Sequence, residues 1–329
     1  MPGTVLVMET SAVDATSLAW MLGGNLPVER MELAPLDGAT VTLRRVSDHD
    51  QDRWRDERRV RMTGLGALGD DGDPQARSYV YVPIPEWILD CCTTCFEISR
   101  SAPLPSGLPD DQLVRAGFAA TNTAQLDLGT DALVDLLRLV VPATVQVPVT
   151  ELILRATVGP YGQRHHAWAT PGFLWSNVAE RWDLLDDQFA ELTLLWRSAT
   201  NGPNAETIRW PLRRFGVAQR RPFAEDRLVD FAIALETIFI AEADSHRNTS
   251  ALLVRRANRL LGGEPIATKL RTRRLLDGYQ TRSDLVHGRL PPEEAVQAAV
   301  ANMESVLRES LRLLLSVPDR LEPQLDSLT

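Results

Sequence analysis

The chain has 329 residues, 44% apolar and 24% charged, with a formal net charge of −9. That balance is ordinary for a soluble globular protein of one to three domains, and its acidity argues against a general nucleic-acid binder. The most apolar windows, "ALVDLLRLVVPATVQVPV" and "FAIALETIFIA", are broken by charge or proline, so none reaches the roughly 20 apolar residues of a membrane span.

The amino end carries Glu9 and Asp14 and no basic n-region, so it does not read as a signal peptide, and a cytoplasmic location is expected. The first 200 residues read as mixed α and β. "VERMELAPLDGATVTLRRV" alternates around Asp37-Gly38, a hairpin signal. "RSYVYVPIP" is a short strand closed by prolines. "GALGDDGDPQ" and "SGLPDDQ" read as polar loops, and "ATVQVPVTELILRATVGPYG" as a strand pair ending in a turn.

The three cysteines, Cys91, Cys92 and Cys95, are bunched within five positions and form no disulfide framework. Cys92 and Cys95 have Cys-x-x-Cys spacing, but zinc needs two further ligands and only the adjacent His165 and His166 present themselves. The plainer reading is three small apolar residues on a helix "PEWILDCCTTCFEI", with the two histidines in a loop.

Val178, Trp182, Leu185, Phe189, Leu192 and Trp196 recur at three- and four-residue spacing and predict a helix. "SATNGPNAET" breaks it with four turn formers, Asn201 to Asn204, and marks the expected boundary between residues 1–200 and a second domain at 205–329. Beyond it four helices are predicted. "AEDRLVDFAIALETIFIAEA" places Leu228, Phe231, Ala232, Leu235, Ile238 and Phe239 on one face. "NTSALLVRRANRLLGG" opens on capping residues and stops at glycine, as does "ATKLRTRRLLDGYQTRSDLVHG". "PPEEAVQAAVANMESVLRESLRLLLS" has proline and glutamates in its first turn. Short connections make these a compact bundle.

Charge is unevenly spread. Residues 205–290 carry a net of +6, against −11 for residues 1–204 and −4 for residues 291–329. A basic segment in an acidic chain is a polyanion footprint. Arginine supplies nearly every cation here, Lys269 being the one lysine, so arginine count alone carries little weight.

Within that segment, "DGYQTRSDLVHG" sets Arg282 and His287 five residues apart at a helix end, with Gly288 a natural stop. Ser283 and Asp284 lie four and three residues before His287 and share its face; Asp284 is a candidate to hold the imidazole tautomer, and Ser283 to bond phosphate or the ring. An imidazole moves protons near neutral pH, and a guanidinium fork suits phosphate. Glu236, in the apolar run of the first bundle helix, needs a cation, with Arg282 or Arg256 expected. Asp230 is read as structural. Tyr279 reads either as core or as a platform for a base. Arg213, Arg214, Arg273 and Arg274 are candidates for an RNA path or a solvated face.

Residues 205–316 resemble the HEPN superfamily, most closely the Apea-like HEPN domain. The resemblance rests on "WPLRRFGVAQRRPFAEDRLVDFAIALE", "RRANRLL" and "YQTRSDLVHG". It implies an α+β amino-terminal region followed by an all-α HEPN four-helix bundle that forms a homodimer. It also implies a metal-independent RNA endonuclease of antiviral defence, or a toxin-like effector, without cofactors or a DNA partner. Arg282 and His287 would meet their counterparts across a two-fold axis. Ser283 stands where active members often carry Asn, Asp or His. The alternative is a non-catalytic HEPN scaffold or nucleotide-binding module. A third reading puts the activity in residues 1–200, where no acid pair, nucleophile elbow or metal set is seen. A sensor or masking role for that acidic region is also expected from the charge split.

Overall fold

A computed structural model of the chain describes residues 12–56, 59–62, 80–83, 91–103, 123–141, 145–156, 163–169, 181–240 and 248–321. The predicted loops at 66–75 and 106–112, and Val178, lie outside the described residues. An antiparallel sheet region precedes a mostly helical carboxy-terminal region. No helix among the described residues is long and apolar enough to cross a membrane. The chain divides into two units, Met1–Asp131 with Val145–Leu184, and Ala132–Thr144 with Leu185–Thr329.

The first unit contains β1 (Ala12–Leu22), β2 (Gly24–Asn25), β3 (Arg30–Leu36), β4 (Ala39–Arg45), α1 (Asp48–Asp56), β5 (Arg59–Met62), β6 (Val80–Pro83) and β7 (Cys92–Pro103). The start of α2 (Thr123–Val140), then β8 (Val149–Ala156), β9 (Gln163–Ala169) and β10 (Trp182–Asp183), complete it. Eight strands form one sheet in the order β3-β4-β7-β1-β8-β9-β5-β6, with β5 and β9 parallel and the other pairs antiparallel.

The β3–β4 hairpin turns at Asp37-Gly38 as predicted. Leu36 pairs with Ala39, and Asp37 and Gly38 have φ of 45° and 81°. Two positive φ values in a two-residue loop are a type I′ turn, which fits the strand twist. One sheet face is core: Ala15, Ala19, Met21, Leu43, Phe96 and Ile98 are buried. On that face the Thr130 hydroxyl of α2 meets the Ser17 hydroxyl at 3.1 Å.

Several expectations give way here. Residues 92–103 are a strand, not a helix, since β1 and β4 pair along both of its edges. Cys92 and Cys95 are buried in it and Cys91 is exposed. Burial pushes the Cys92 and Cys95 thiols well above their ordinary range, so both stay protonated and inert. His165 and His166 lie in β9 rather than a loop, opposite Ile153 and Leu152. The strand pair expected within 143–162 is β8 with β9, whose second strand falls later in the chain.

The helix expected from Val178 begins only at Asp186. Trp182 keeps the helical spacing by coincidence and sits in β10, 3% exposed, its indole N–H donating to the Leu22 carbonyl at 2.9 Å. Asp186 and Asp187 occupy the true first turn, and the Gln188 side chain accepts the Leu185 N–H.

The second unit holds the end of α2, then α3 (Asp186–Asn201), α4 (Ala205–Arg220), α5 (Ala224–Phe239), α6 (Thr249–Leu261), α7 (Pro265–Val286) and α8 (Glu293–Ser316). The turn formers at 201–204 do end a helix, but both flanking helices belong to this unit, so the division falls earlier, at Leu184/Leu185. Asn204 shows why. It is 2% exposed, its amide donates to the Leu314 and Asp319 carbonyls, and its carbonyl accepts the Leu321 N–H. It anchors the turn to the end of α8 rather than opening a linker.

The four predicted helices, α5 to α8, are all present, and each packs against the other three. Asn248 caps α6 by accepting the Ala251 N–H at 3.3 Å. The core runs along Val296, Val300, Met303, Leu307, Leu311 and Leu314 of α8, and Phe215 and Phe231 join α4 to α5 with ring centroids 6.1 Å apart.

Two helical glycines differ in what surrounds them. A Cβ on Gly216 would lie 1.8 Å from Asp135 Oδ1, a buried carboxylate held at 2.8 Å by buried Arg138. A Cβ on Gly278 would meet the flexible Met303 side chain at 2.7 Å. Gly216→Ala is therefore expected to cost about 1–3 kcal/mol by displacing an ion pair. Gly278→Ala is expected to cost less than ~1 kcal/mol, as Met303 yields and helix propensity improves. Urea unfolding of the two variants checks the contrast.

Candidate active site

Helix α7 starts with proline at its first turn and ends with His287 as C-cap, followed by Gly288 at φ 74°. Its buried stripe is Arg271, Leu275, Gly278 and Tyr279. Arg271 donates to the Gly262 carbonyl at 3.0 Å and to Asn258 Oδ1 at 3.3 Å, fixing the α6–α7 corner.

Tyr279 is a core residue, 8% exposed, with its hydroxyl donating to Glu236 Oε1 at 3.1 Å. Burial, then the Glu236 charge, push the phenol well above its ordinary value, with Arg282 opposing. The ring is not offered to solvent, so it is no platform for a base here. Glu236 thus takes its hydrogen bond from Tyr279 and not from Arg282 or Arg256. Arg256 donates to the Phe239 carbonyl at 2.8 Å. Tyr279→Phe is expected to cost about 1 kcal/mol, with the Glu236 carboxylate turning to water. Denaturant unfolding measures it.

Arg282 is half-buried one turn beyond Tyr279, and its Nε is buried with no hydrogen-bond partner. No ion pair takes its guanidinium among the described residues. Ser283 is half-buried, and its backbone carbonyl accepts the His287 N–H at 3.0 Å. Asp284 is occupied elsewhere: it accepts from Arg289 at 2.9 Å and Gln280 at 3.1 Å. The expected Asp284–imidazole bond is therefore not made. The ring of His287 is exposed and makes no hydrogen bond among the described residues. At 100° per residue, Arg282 and His287 project about 140° apart around the helix, so one chain does not stack them on a common face.

The other arginines separate. Arg214 donates to Asp230 at 2.9 Å and lies over the Trp210 ring at 4.9 Å. Arg221 takes the second Asp230 oxygen at 2.9 Å, so Asp230, 3% exposed, is the anion of a structural cluster. Arg273 pairs with Asp277 at 3.5 Å with both side chains in solvent. Arg213 is exposed and Arg274 half-buried, neither in an ion pair among the described residues.

The chain matches no family model, no curated protein and no solved structure. Its chemistry rests on its own residues. At the end of α7 these are an exposed imidazole and a half-buried guanidinium with no ion pair among the described residues, side-chain types suited to proton transfer and to phosphate.

The sequence reading missed a second polar locus. In the first unit Arg44 of β4, Asp50 of α1 and Glu97 of β7 converge, with Arg44 bonding Asp50 at 2.6 Å and Glu97 at 2.7 Å. They border a cavity of about 470 Å³. Arg44 and Glu97 are 53 positions apart, and only strand register brings them together.

Proposed function

We propose that the helical unit is a metal-independent RNA endonuclease of the HEPN kind, serving in antiviral defence or as a toxin-like effector in the cytoplasm. The observation that carries the reading is the pair at the end of α7. His287 stands in solvent with its ring uncommitted, while Arg282, five residues before it, has a buried Nε without a partner. Water reaches the His287 ring, and the half-buried Arg282 guanidinium, with no ion pair among the described residues, is left to take a phosphate oxygen.

RNA carries its own nucleophile in the neighbouring 2′-hydroxyl. Cleavage then needs one group to accept that proton, one to give a proton to the departing 5′-oxygen, and a cation for the charge developing on phosphate. His287 serves proton transfer and Arg282 binds the phosphate. One chain offers one such pair, set on different sides of its helix. Two chains facing across a two-fold axis supply both an acid and a base. The products are a 2′,3′-cyclic phosphate and a 5′-hydroxyl. Arg213 and Arg274, with no ion pair among the described residues, are available to the RNA backbone.

The non-catalytic reading, a dimerising scaffold or nucleotide-binding module, draws on one observation: Asp284 is bound to Arg289 and leaves the imidazole unoriented. Cleavage of single-stranded RNA in EDTA by wild type, and its loss in Arg282→Ala and His287→Ala, decides between the two.

A further inference from the structure

The second face of the first unit's sheet mixes charged side chains with buried apolar ones, Leu18, Trp20, Cys95 and Ile153. Register sets Leu18 beside Glu97, Thr16 beside Ile153, and Arg44 beside Arg30. This face floors the cavity of about 470 Å³, whose rim includes Arg45, Ser47 and His49 from the β4–α1 corner. Small-molecule sites commonly enclose about 300–1,000 Å³.

The lining carries three guanidiniums and three carboxylates, but they are not paired one to one. Arg44 is held by two carboxylates, and Asp50 is further fixed by the Ser47 N–H at 3.0 Å and hydroxyl at 2.7 Å, so this part of the floor is rigid. Arg30 lies directly across from Arg44, where like charges repel. Yet Arg30 donates only to the Thr42 hydroxyl, at 3.2 Å, and Arg45 only to the Leu26 carbonyl, at 2.6 Å. Neither meets a carboxylate among the described residues. His49 is exposed beside them with no side-chain bond among those residues. Two guanidiniums and an imidazole at one mouth suit a dianion. On the same walls Glu29 and Glu97 are acceptors for hydroxyl groups.

We propose that this cavity binds a small phosphorylated sugar, free or as the 5′-phosphate end of a nucleotide. The phosphate lies against Arg30 and Arg45, and the hydroxyls face Glu29 and Glu97. The site lies wholly within the first unit and stands apart from the nuclease reading.

Isothermal titration of the full chain tests it with ribose 5-phosphate, adenosine 5′-monophosphate, inorganic phosphate, adenosine and citrate. At least one of the two phosphate esters is expected to bind at one per chain, with inorganic phosphate about tenfold weaker or worse and adenosine undetected. Ribose 5-phosphate alone marks a free sugar phosphate; preference for the monophosphate marks a nucleotide. Arg30→Ala, a change at an exposed side chain, is expected to weaken binding by about tenfold or more, and Arg30→Lys by less, since the charge stays and the fork is lost. Arg282→Ala is expected to bind as wild type. The proposal is overturned if neither ester binds, if inorganic phosphate or citrate binds as tightly as both, or if the Arg30 variants leave affinity unchanged.

Discussion

His287→Ala is expected to lower cleavage of single-stranded RNA by about 10²- to 10⁴-fold, the usual contribution of a positioned general acid or base. Arg282→Ala is expected to lower it by about 10²-fold or more, as a cation at developing phosphate charge does. Wild type should cut in excess EDTA and leave cyclic-phosphate ends. The double variant should be no worse than the poorer single one, because residues acting as a unit do not contribute additively. His287 is exposed and Arg282 makes no ion pair among the described residues, so both variants should keep the wild-type melting temperature within about 2 °C. Asp284→Asn sharpens the test. Since Asp284 bonds Arg289 and Gln280, activity should fall less than about tenfold. A larger fall would mean that the carboxylate turns to the imidazole when RNA binds. RNA left intact by wild type, in a chain shown to be folded, would leave the scaffold reading in possession.

Arg44→Met is expected to destabilise the first unit by about 1–3 kcal/mol at neutral pH, by taking the cation from a buried carboxylate that keeps its Ser47 hydrogen bonds. Asp50 is 4% exposed, and Arg44 donates to both of its oxygens, at 2.6 and 3.2 Å. Burial alone would raise the Asp50 carboxyl, but the hydrogen bonds from Arg44 and Ser47 outweigh it and hold it below the ordinary carboxylate range. A carboxyl lowered on folding adds stability above its unfolded value of about 3.9 and loses it as pH falls through the folded value. Wild type therefore weakens in acid. In Arg44→Met the cation is gone, desolvation lifts the carboxyl, and stability rises as pH falls through that raised value. Urea unfolding from pH 7 down to about pH 2.5 should show this contribution lost in wild type only below about pH 4, where the variant has already gained stability, and parallel profiles would refute the assignment.

By itself the sequence determined whatever is written within one turn of chain. The four helices α5 to α8 begin and end close to where their caps, prolines and glycines place them, because capping and backbone conformation are local. The Asp37-Gly38 hairpin was legible for the same reason. So was the position of His287, since Gly288 stops the helix that carries it. Tertiary structure decided the rest. The cysteine run carries no local signal strong enough to choose strand over helix, and pairing with β1 and β4 chose it. Trp182 and the residues of α3 share a helical spacing that only burial against Leu22 and Gly24 breaks. Asn204 looks like a linker residue until the end of α8 arrives to be bound. The partners of charged side chains were the least legible of all. Glu236 met Tyr279 rather than an arginine, Asp284 met Arg289 rather than histidine, and Arg44 gathered Asp50 and Glu97 from two other elements. Each of those choices depends on which side chain the folded backbone carries within about 3 Å, a distance that separation along the chain does not encode.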